Sequence, residues 1–167
     1  VEIEYEKLPG LQKKFIKKCY QAGKMVITAT QMLESMIHNN TPTRAEITDV
    51  ANAVFDGTSA IMLSGETAAG DHPAKVVEVM AKIAEQAEQD AFEMEVYRWA
   101  QYENDTNDTT NAICDAACTT AKDVGATAVI AVTMSGYTAR RMSKFRPRQL
   151  IIAATPNEKT FHQLALS

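Results

Sequence analysis

The chain has only three cysteines in 167 residues, Cys19, Cys114 and Cys118, and no Cys-x-x-Cys pair. That odd, sparse set argues against a disulfide scaffold and against a cysteine zinc site, and it fits a reducing cytoplasm. No apolar run is long enough to span a bilayer, and no charged-then-apolar leader opens the sequence. There is no basic excess either. Seventeen Lys and Arg stand against 21 Asp and Glu, for a net charge of -4, which argues against an electrostatic nucleic-acid binder. A start methionine is missing, so the sequence is expected to begin inside a longer polypeptide. No internal repeat or low-complexity tract occurs.

What is present is an ordinary globular composition, 46% hydrophobic and 23% charged, enough for one domain or two small ones. Apolar residues recur at helical spacing through Leu8, Leu11, Phe15, Ile16 and Cys19. Gly23 is placed to cap that helix, and Met25–Ala29 reads as a short buried strand. Met32–His38 is expected to be a short helix. Thr43-Arg44-Ala45-Glu46 is a capping box that opens another, with Ile47, Val50, Ala51 and Val54 on its apolar face. Ser59–Leu63 reads as a second buried strand, Gly65–Asp71 as a loop of small residues, and Pro73 as the first turn of a helix whose stripe is Val76, Met80, Ile83 and Ala87.

The polar stretch from Gln101 to Thr110 is the best candidate for an exposed connection between modules. Beyond it, helices at 111–122, 138–145 and 158–166 alternate with strands at 126–132 and 150–154. Cys114 and Cys118, four apart, share one face of the first of these helices and read as small buried residues. Helix lies between each strand and the next, and the strands lack polar alternation. That pattern predicts an α/β fold with parallel strands, covered by helices on both faces or closed into a barrel.

Parallel α/β structures bind ligands at the carboxyl ends of their strands. Thr28-Ala29-Thr30-Gln31 and Ser64-Gly65-Glu66-Thr67 supply hydroxyls and one carboxylate there, suited to a substrate carboxylate or phosphate or to a proton relay through water. Ser and Thr are equally common as helix caps, and spacing leaves both readings open. Thr133-Met134-Ser135-Gly136-Tyr137-Thr138 joins hydroxyls and a tight turn to a helix start, which suits a phosphate. Arg140, Arg141 and Lys144 add charge only if their helix faces turn toward that loop. The other reading is a capped helix with a solvated basic face.

Three segments carry a resemblance. Thr28-Ala29-Thr30-Gln31-Met32-Leu33-Glu34-Ser35-Met36 resembles a hallmark segment of pyruvate kinases. So do Pro42-Thr43-Arg44-Ala45-Glu46 with Asp49-Val50-Ala51-Asn52-Ala53-Val54, and Ile61-Met62-Leu63-Ser64-Gly65-Glu66-Thr67-Ala68. The likeness runs on to Ser167. It implies the last strands, seven and eight, of a (β/α)8 TIM barrel over residues 1–90. The first part of a three-layer α/β C-terminal domain with parallel strands, for effector binding and oligomerisation, would follow over 91–167.

The implied reaction moves a phosphoryl group from phosphoenolpyruvate to ADP, giving pyruvate and ATP in glycolysis. By the same resemblance Thr30 contacts the phosphoenolpyruvate or pyruvate end, and Ser64 helps it hold the water that protonates the enolate carbon. Glu66 supports that network, so the implied catalytic set is Thr30, Ser64 and Glu66. Thr133, Ser135, Gly136, Tyr137 and Thr138 match the loop that binds the phosphate of a sugar-phosphate effector. Tyr137 stands where some members carry a basic or small residue, which leaves the effector open.

The resemblance also implies Mg2+ and K+ for the parent enzyme, with their ligands and the catalytic lysine on strands outside this chain. It implies no metal ligand among these residues, a cytoplasmic homotetramer, and no activity for the 167 residues alone. The alternatives are a stand-alone phosphate-binding module and a proteolytic remnant. With six barrel strands lacking, open sheet edges and apolar faces are expected to make the isolated chain unstable or self-associating.

Overall fold

The computed structural model describes residues 3–29, 31–97 and 108–167. The chain divides into two compact units. One comprises Val1–Lys18 and Val26–Val96, the other Cys19–Met25 and Tyr97–Ser167. Among the described residues no helix is long and apolar enough to cross a membrane.

The first unit opens with α1 (Leu8–Gln21), whose last turn belongs to the second unit. It continues through β1 (Ile27–Ala29), α2 (Arg44–Phe55), β2 (Ala60–Met62), the single turn α3 (Gly65–Ala68) and α4 (Pro73–Glu93). The two strands pair in parallel, with Ile27 opposite Ala60 and Ala29 opposite Met62. The predicted capping box is present in full at the start of α2, and Pro73 sits in the first turn of α4. Val50 and Ala53 of α2 meet Val76 and Met80 of α4, and the turn after β1 drops Met32, Leu33 and Met36 into the same core.

Three local expectations change. The short helix expected over Met32–His38 is present as a 3-10 helix confined to Glu34–Ile37. The amides of Leu33 and Ser35 are bound by the carboxylates of Glu66 and Glu46 instead of backbone carbonyls. Gly65–Asp71 is not all loop, because Ser64 and Gly65 carbonyls close a helical turn with the amides of Ala68 and Ala69. On α1 the buried positions are Ile16 and Tyr20, while Leu8 and Phe15 are exposed; the apolar period is right and the buried face lies a step round from it.

In the second unit α5 (Thr109–Asp123), β3 (Ala128–Val132), α6 (Tyr137–Lys144), β4 (Leu150–Ala154) and α7 (Glu158–Leu164) follow in order. The strands are again parallel, Ile130 opposite Ile152 and Val132 opposite Ala154. Val129, Ala131, Ile151 and Ala153 pack with the α5 and α6 core. The thiols of Cys114 and Cys118 point at the carbonyls of Thr138 and Met142, at 3.8 and 4.0 Å; small side chains on α5 permit this approach. Burial pushes the Cys118 thiol up to about 11, with the neighbouring Cys114 adding to it, and raises Cys114 as well.

The strands were expected to be buried, and they are only half so. Ile130, Val132, Leu150 and Ile152 alternate with the packed residues and lie exposed, Val132 by 80%. Helices cover one face of this two-stranded pair, so the period-2 alternation of strand side chains leaves the other face bare. The polar stretch at 101–110 falls largely outside the described residues; its end, Asp108, caps α5 by accepting the amides of Thr110 and Asn111.

Candidate functional site

The carboxyl ends of β1 and β2 lie side by side because the strands are parallel and in register. Each then turns sharply. After β1 the backbone passes through Gln31 at φ 53°, a left-handed conformation rarely taken by a residue with a side chain. After β2, Ser64 occupies the N-cap position of α3, yet its hydroxyl makes no capping bond. The cap reading of Ser64 therefore has no support in the geometry, and the hydroxyl remains at the rim. Thr30 lies outside the described residues. Thr28 is spent internally: its hydroxyl donates to Thr58 Oγ1 at 2.9 Å, and the single Thr58 hydroxyl proton is shared between the carbonyls of Val26 and Ala60, at 3.1 and 3.0 Å.

Glu66 joins the two turns. Its side chain is completely buried, and it accepts the Ser64 amide at 2.8 Å on one oxygen and the Leu33 amide at 3.2 Å on the other. Burial pushes this carboxyl upward, but hydrogen bonds from the amides of Glu66, Ser64, Leu33 and Met32 outweigh it and hold the group below the usual carboxylate value. A buried carboxylate whose lone pairs all face amides is a poor proton carrier and a strong clamp.

Glu46 repeats the device one layer out. Besides closing its capping box on Thr43, it accepts both the amide and the hydroxyl of Ser35 at 2.6 Å. Burial opposes its ionisation, and the Ser35 and Thr43 donors overcome that, leaving it below its ordinary value. The capping box was legible from spacing. The bond to Ser35, eleven residues away, had no signal in the sequence.

The second candidate site lies at the carboxyl end of β3. Thr133 is buried and extends the ladder by donating its amide to Ala154 at 2.9 Å. Ser135 is exposed, and Gly136 caps α6 at φ 77°. A Cβ there would fall 3.1 Å from Thr160 and Leu164 side-chain carbons, so glycine is required for both conformation and space. The first intrahelical bond of α6 runs from the Arg140 amide to the Gly136 carbonyl. The amides of Tyr137, Thr138 and Ala139 consequently have no helical acceptor and present the positive end of the dipole.

The three basic residues of α6 take different paths. Arg140 folds back on the loop, donating to the Ser135 carbonyl at 3.0 Å. Arg141 lies over the Tyr137 ring, 5.0 Å from its centre, and 3.7 Å from Asp108. Lys144 is buried beside Phe145. Tyr137, 42% exposed, directs its hydroxyl to Asp108 at 3.5 Å. Arg140 thus lies against the loop backbone, while Arg141 covers the loop's Tyr137 ring with its charge shared with Asp108.

Among the described residues no group of three or more His, Cys, Asp or Glu side chains could hold a metal ion. The groups at these strand ends are hydroxyls, backbone amides and the amide-bound Glu66 carboxylate.

Residues 1–77 match the family described as pyruvate kinase, barrel domain, and residues 111–167 match pyruvate kinase, alpha/beta domain. A pyruvate kinase of Clostridium acetobutylicum is 49% identical over 167 residues, covering 100% of this chain and 35% of that protein. One from Thermotoga maritima is 46% identical over 166 residues, covering 99% of this chain and 34% of that protein. The crystal structure of a Cryptosporidium parvum pyruvate kinase superposes with a TM-score of 0.92 at 45% identity, covering 99% of this chain and 34% of that one. A structure of Cryptosporidium parvum pyruvate kinase in complex with ADP gives 0.87 at 44%, covering 99% and 33%. The chain thus spans about a third of the length of the relatives it matches.

Proposed function

Because the chain belongs to the pyruvate kinase family, we propose that it is the portion of such an enzyme that forms the substrate-side rim of the barrel and the start of the effector domain. The parent enzyme transfers the phosphoryl group of phosphoenolpyruvate to ADP, yielding pyruvate and ATP. In this reading residues 1–90 close the barrel and 91–167 begin the α/β domain. Magnesium and potassium are held by residues outside this chain, the working form is a cytoplasmic homotetramer, and the 167 residues alone lack transfer activity.

The observation that carries the proposal is the Glu66 clamp, which fixes the Ser64 turn and the turn after Thr30 to each other at the carboxyl ends of two parallel strands. Thr30 and Ser64 hold a water between their hydroxyls, and that water gives a proton to the enolate carbon once the phosphoryl group has left. Glu66 acts as the positioning residue behind both. The Thr133–Thr138 loop holds the phosphate of a sugar-phosphate effector through Ser135 and Thr138 hydroxyls and the free amides after Gly136, with Arg140 supplying the charge.

The test is made on the enzyme that carries this chain. Thr30→Ala and Ser64→Ala are expected to slow exchange of solvent hydrogen into the methyl group of pyruvate far more than they weaken ADP binding. Exchange at the unaltered rate in both variants refutes the assignment. If a sugar phosphate raises the melting temperature of an enzyme with no transfer activity, the phosphate-module reading replaces it.

A further inference from the structure

Glu46 holds more than the start of its own helix. Its Oε1 accepts the Ser35 amide at 2.6 Å, and its Oε2 accepts the Ser35 hydroxyl at 2.6 Å. Oε2 also takes the Thr43 amide and hydroxyl, at 2.7 and 2.9 Å. A capping box needs only the bonds at Thr43. The two at Ser35 fasten the 3-10 segment Glu34–Ile37 to the first turn of α2. That segment needs an outside anchor, because four residues of 3-10 helix close few bonds of their own. Leu33 and Met36 are fully buried in a core shared with Val50 and Ala53 of the same helix.

The other side of the segment is bound to the α3 turn. Leu33 donates its amide to one oxygen of Glu66 and Ser64 donates to the other, at 3.2 and 2.8 Å. Past α3, Asp71 donates its amide to the Ile37 carbonyl at 2.8 Å. Between them the chain runs through Gly70, where a Cβ would fall 2.2 Å from the Glu66 carbonyl oxygen and 3.5 Å from Ile37 Cα. No side chain fits there, so the returning backbone lies directly on both. Residues 33–37 are thus the middle of three pieces, held by one carboxylate to α2 and by another to the Ser64 turn. The Ser64 hydroxyl makes no cap bond, so its direction follows from where Glu66 holds its backbone.

We propose that Glu46 is a positioning residue for Ser64, acting through Ser35, Leu33 and Glu66. It fixes the Glu34–Ile37 segment on α2 and thereby the place at which the Glu66 carboxylate holds the Ser64 turn. Both carboxylates make charge-assisted bonds, which are short and directional, so a displacement at Ser35 is carried onward instead of being taken up within the segment. The functional end of this chain rests on the reading of Ser64 given above, whereas the chain of bonds from Glu46 to the Ser64 amide stands on its own geometry.

The test is a double-mutant cycle in the enzyme that carries this chain, with Glu46→Gln and Ser64→Ala made singly and together. The readouts are entry of solvent hydrogen into the methyl group of pyruvate, the KM for phosphoenolpyruvate, and amide exchange. Glutamine keeps the length of Glu46 but must set its NH2 against a donor of Ser35 or Thr43. Glu46→Gln is expected to slow hydrogen entry about three- to tenfold with KM within about twofold. In the Ser64→Ala background the same substitution is expected to slow it by less than about 1.5-fold, because the hydroxyl it positions is gone. Equal losses in the two backgrounds overturn the proposal, and so does Glu46→Gln at the parent rate while Ser64→Ala is slow. Ser64→Ala at the parent rate defeats the reading of Ser64 and with it the role assigned to Glu46. Amide exchange in Glu46→Gln then judges the chain of bonds by itself: it is expected to quicken at least about threefold at both Leu33–Met36 and Ser64–Thr67. Quickening confined to Leu33–Met36 overturns that chain. Should Glu46→Gln not fold, Ser35→Ala, which removes one bond and leaves the capping box, is expected to give the same pattern at about two- to threefold.

Discussion

Replacing Glu66 by Gln tests whether the rim is held as described. The carboxylate is fully buried and accepts two amides from different turns. Glutamine can offer one acceptor oxygen and must set its NH2 against the other amide. A hydrogen bond to a charged group contributes about 1.5–3 kcal/mol, and an amide left unpaired in the interior costs about 1 kcal/mol or more, so the expected loss is about 2–4 kcal/mol. At this chain length that lowers the melting temperature by roughly 5–15 °C. The pH dependence sharpens the test. Because the folded carboxyl is held below its ordinary value, the unfolded chain binds the proton more tightly. The stability Glu66 contributes is complete above about pH 4.3, its unfolded value, and drains away as pH falls through the lower folded value. The gap between the parent protein and Glu66→Gln, measured by urea unfolding, is therefore wide at pH 7 and closes on acidification. Glu46 titrates in the same direction in both proteins, so the comparison isolates Glu66. A gap under about 0.5 kcal/mol at pH 7, or one that does not narrow as the pH falls below the unfolded value, refutes the reasoning.

Gly136→Ala forces a left-handed residue and meets Thr160 and Leu164. It is expected to cost about 1–2 kcal/mol, roughly 2–8 °C by calorimetry, and to abolish binding of inorganic phosphate to the loop. With both its buried thiols pushed upward, the folded protein is expected to present one fast-reacting cysteine, Cys19, to a disulfide reagent at pH 8; three fast thiols would contradict the packing of α5 on α6. The bare face of Ile130, Val132, Leu150 and Ile152 is expected to make the isolated 167-residue protein associate as its concentration rises, and Ile130→Lys with Ile152→Lys to suppress this. Sedimentation showing one unchanged monomer at all concentrations would count against it.

Local rules reached far along this chain. The capping box on Thr43 and Glu46, the glycine stop at Gly23 and the proline start at Pro73 all lie within a few residues of the bonds they make, so spacing reveals them. The α/β alternation was equally plain, because burying two-period strands under 3.6-period helices leaves a pattern in the residues themselves. The short motifs around Thr30, Ser64 and Glu66 were sufficient to suggest the family.

Contacts that join distant segments left no such pattern. That Glu66 clamps Leu33 to Ser64, that Glu46 reaches Ser35, and that Arg140 meets the Ser135 carbonyl while Arg141 lies between Tyr137 and Asp108 are set by how helices and strands come to rest on one another. The same holds for which face of α1 is buried, and for the exposed face of β3 and β4. The sequence by itself determined where elements start and stop and which residue types stand at the strand ends, since those depend on neighbours in the chain. Only the tertiary structure decided which carboxylate binds which amide and which arginine faces the loop, because those bonds form between groups that packing alone brings within reach.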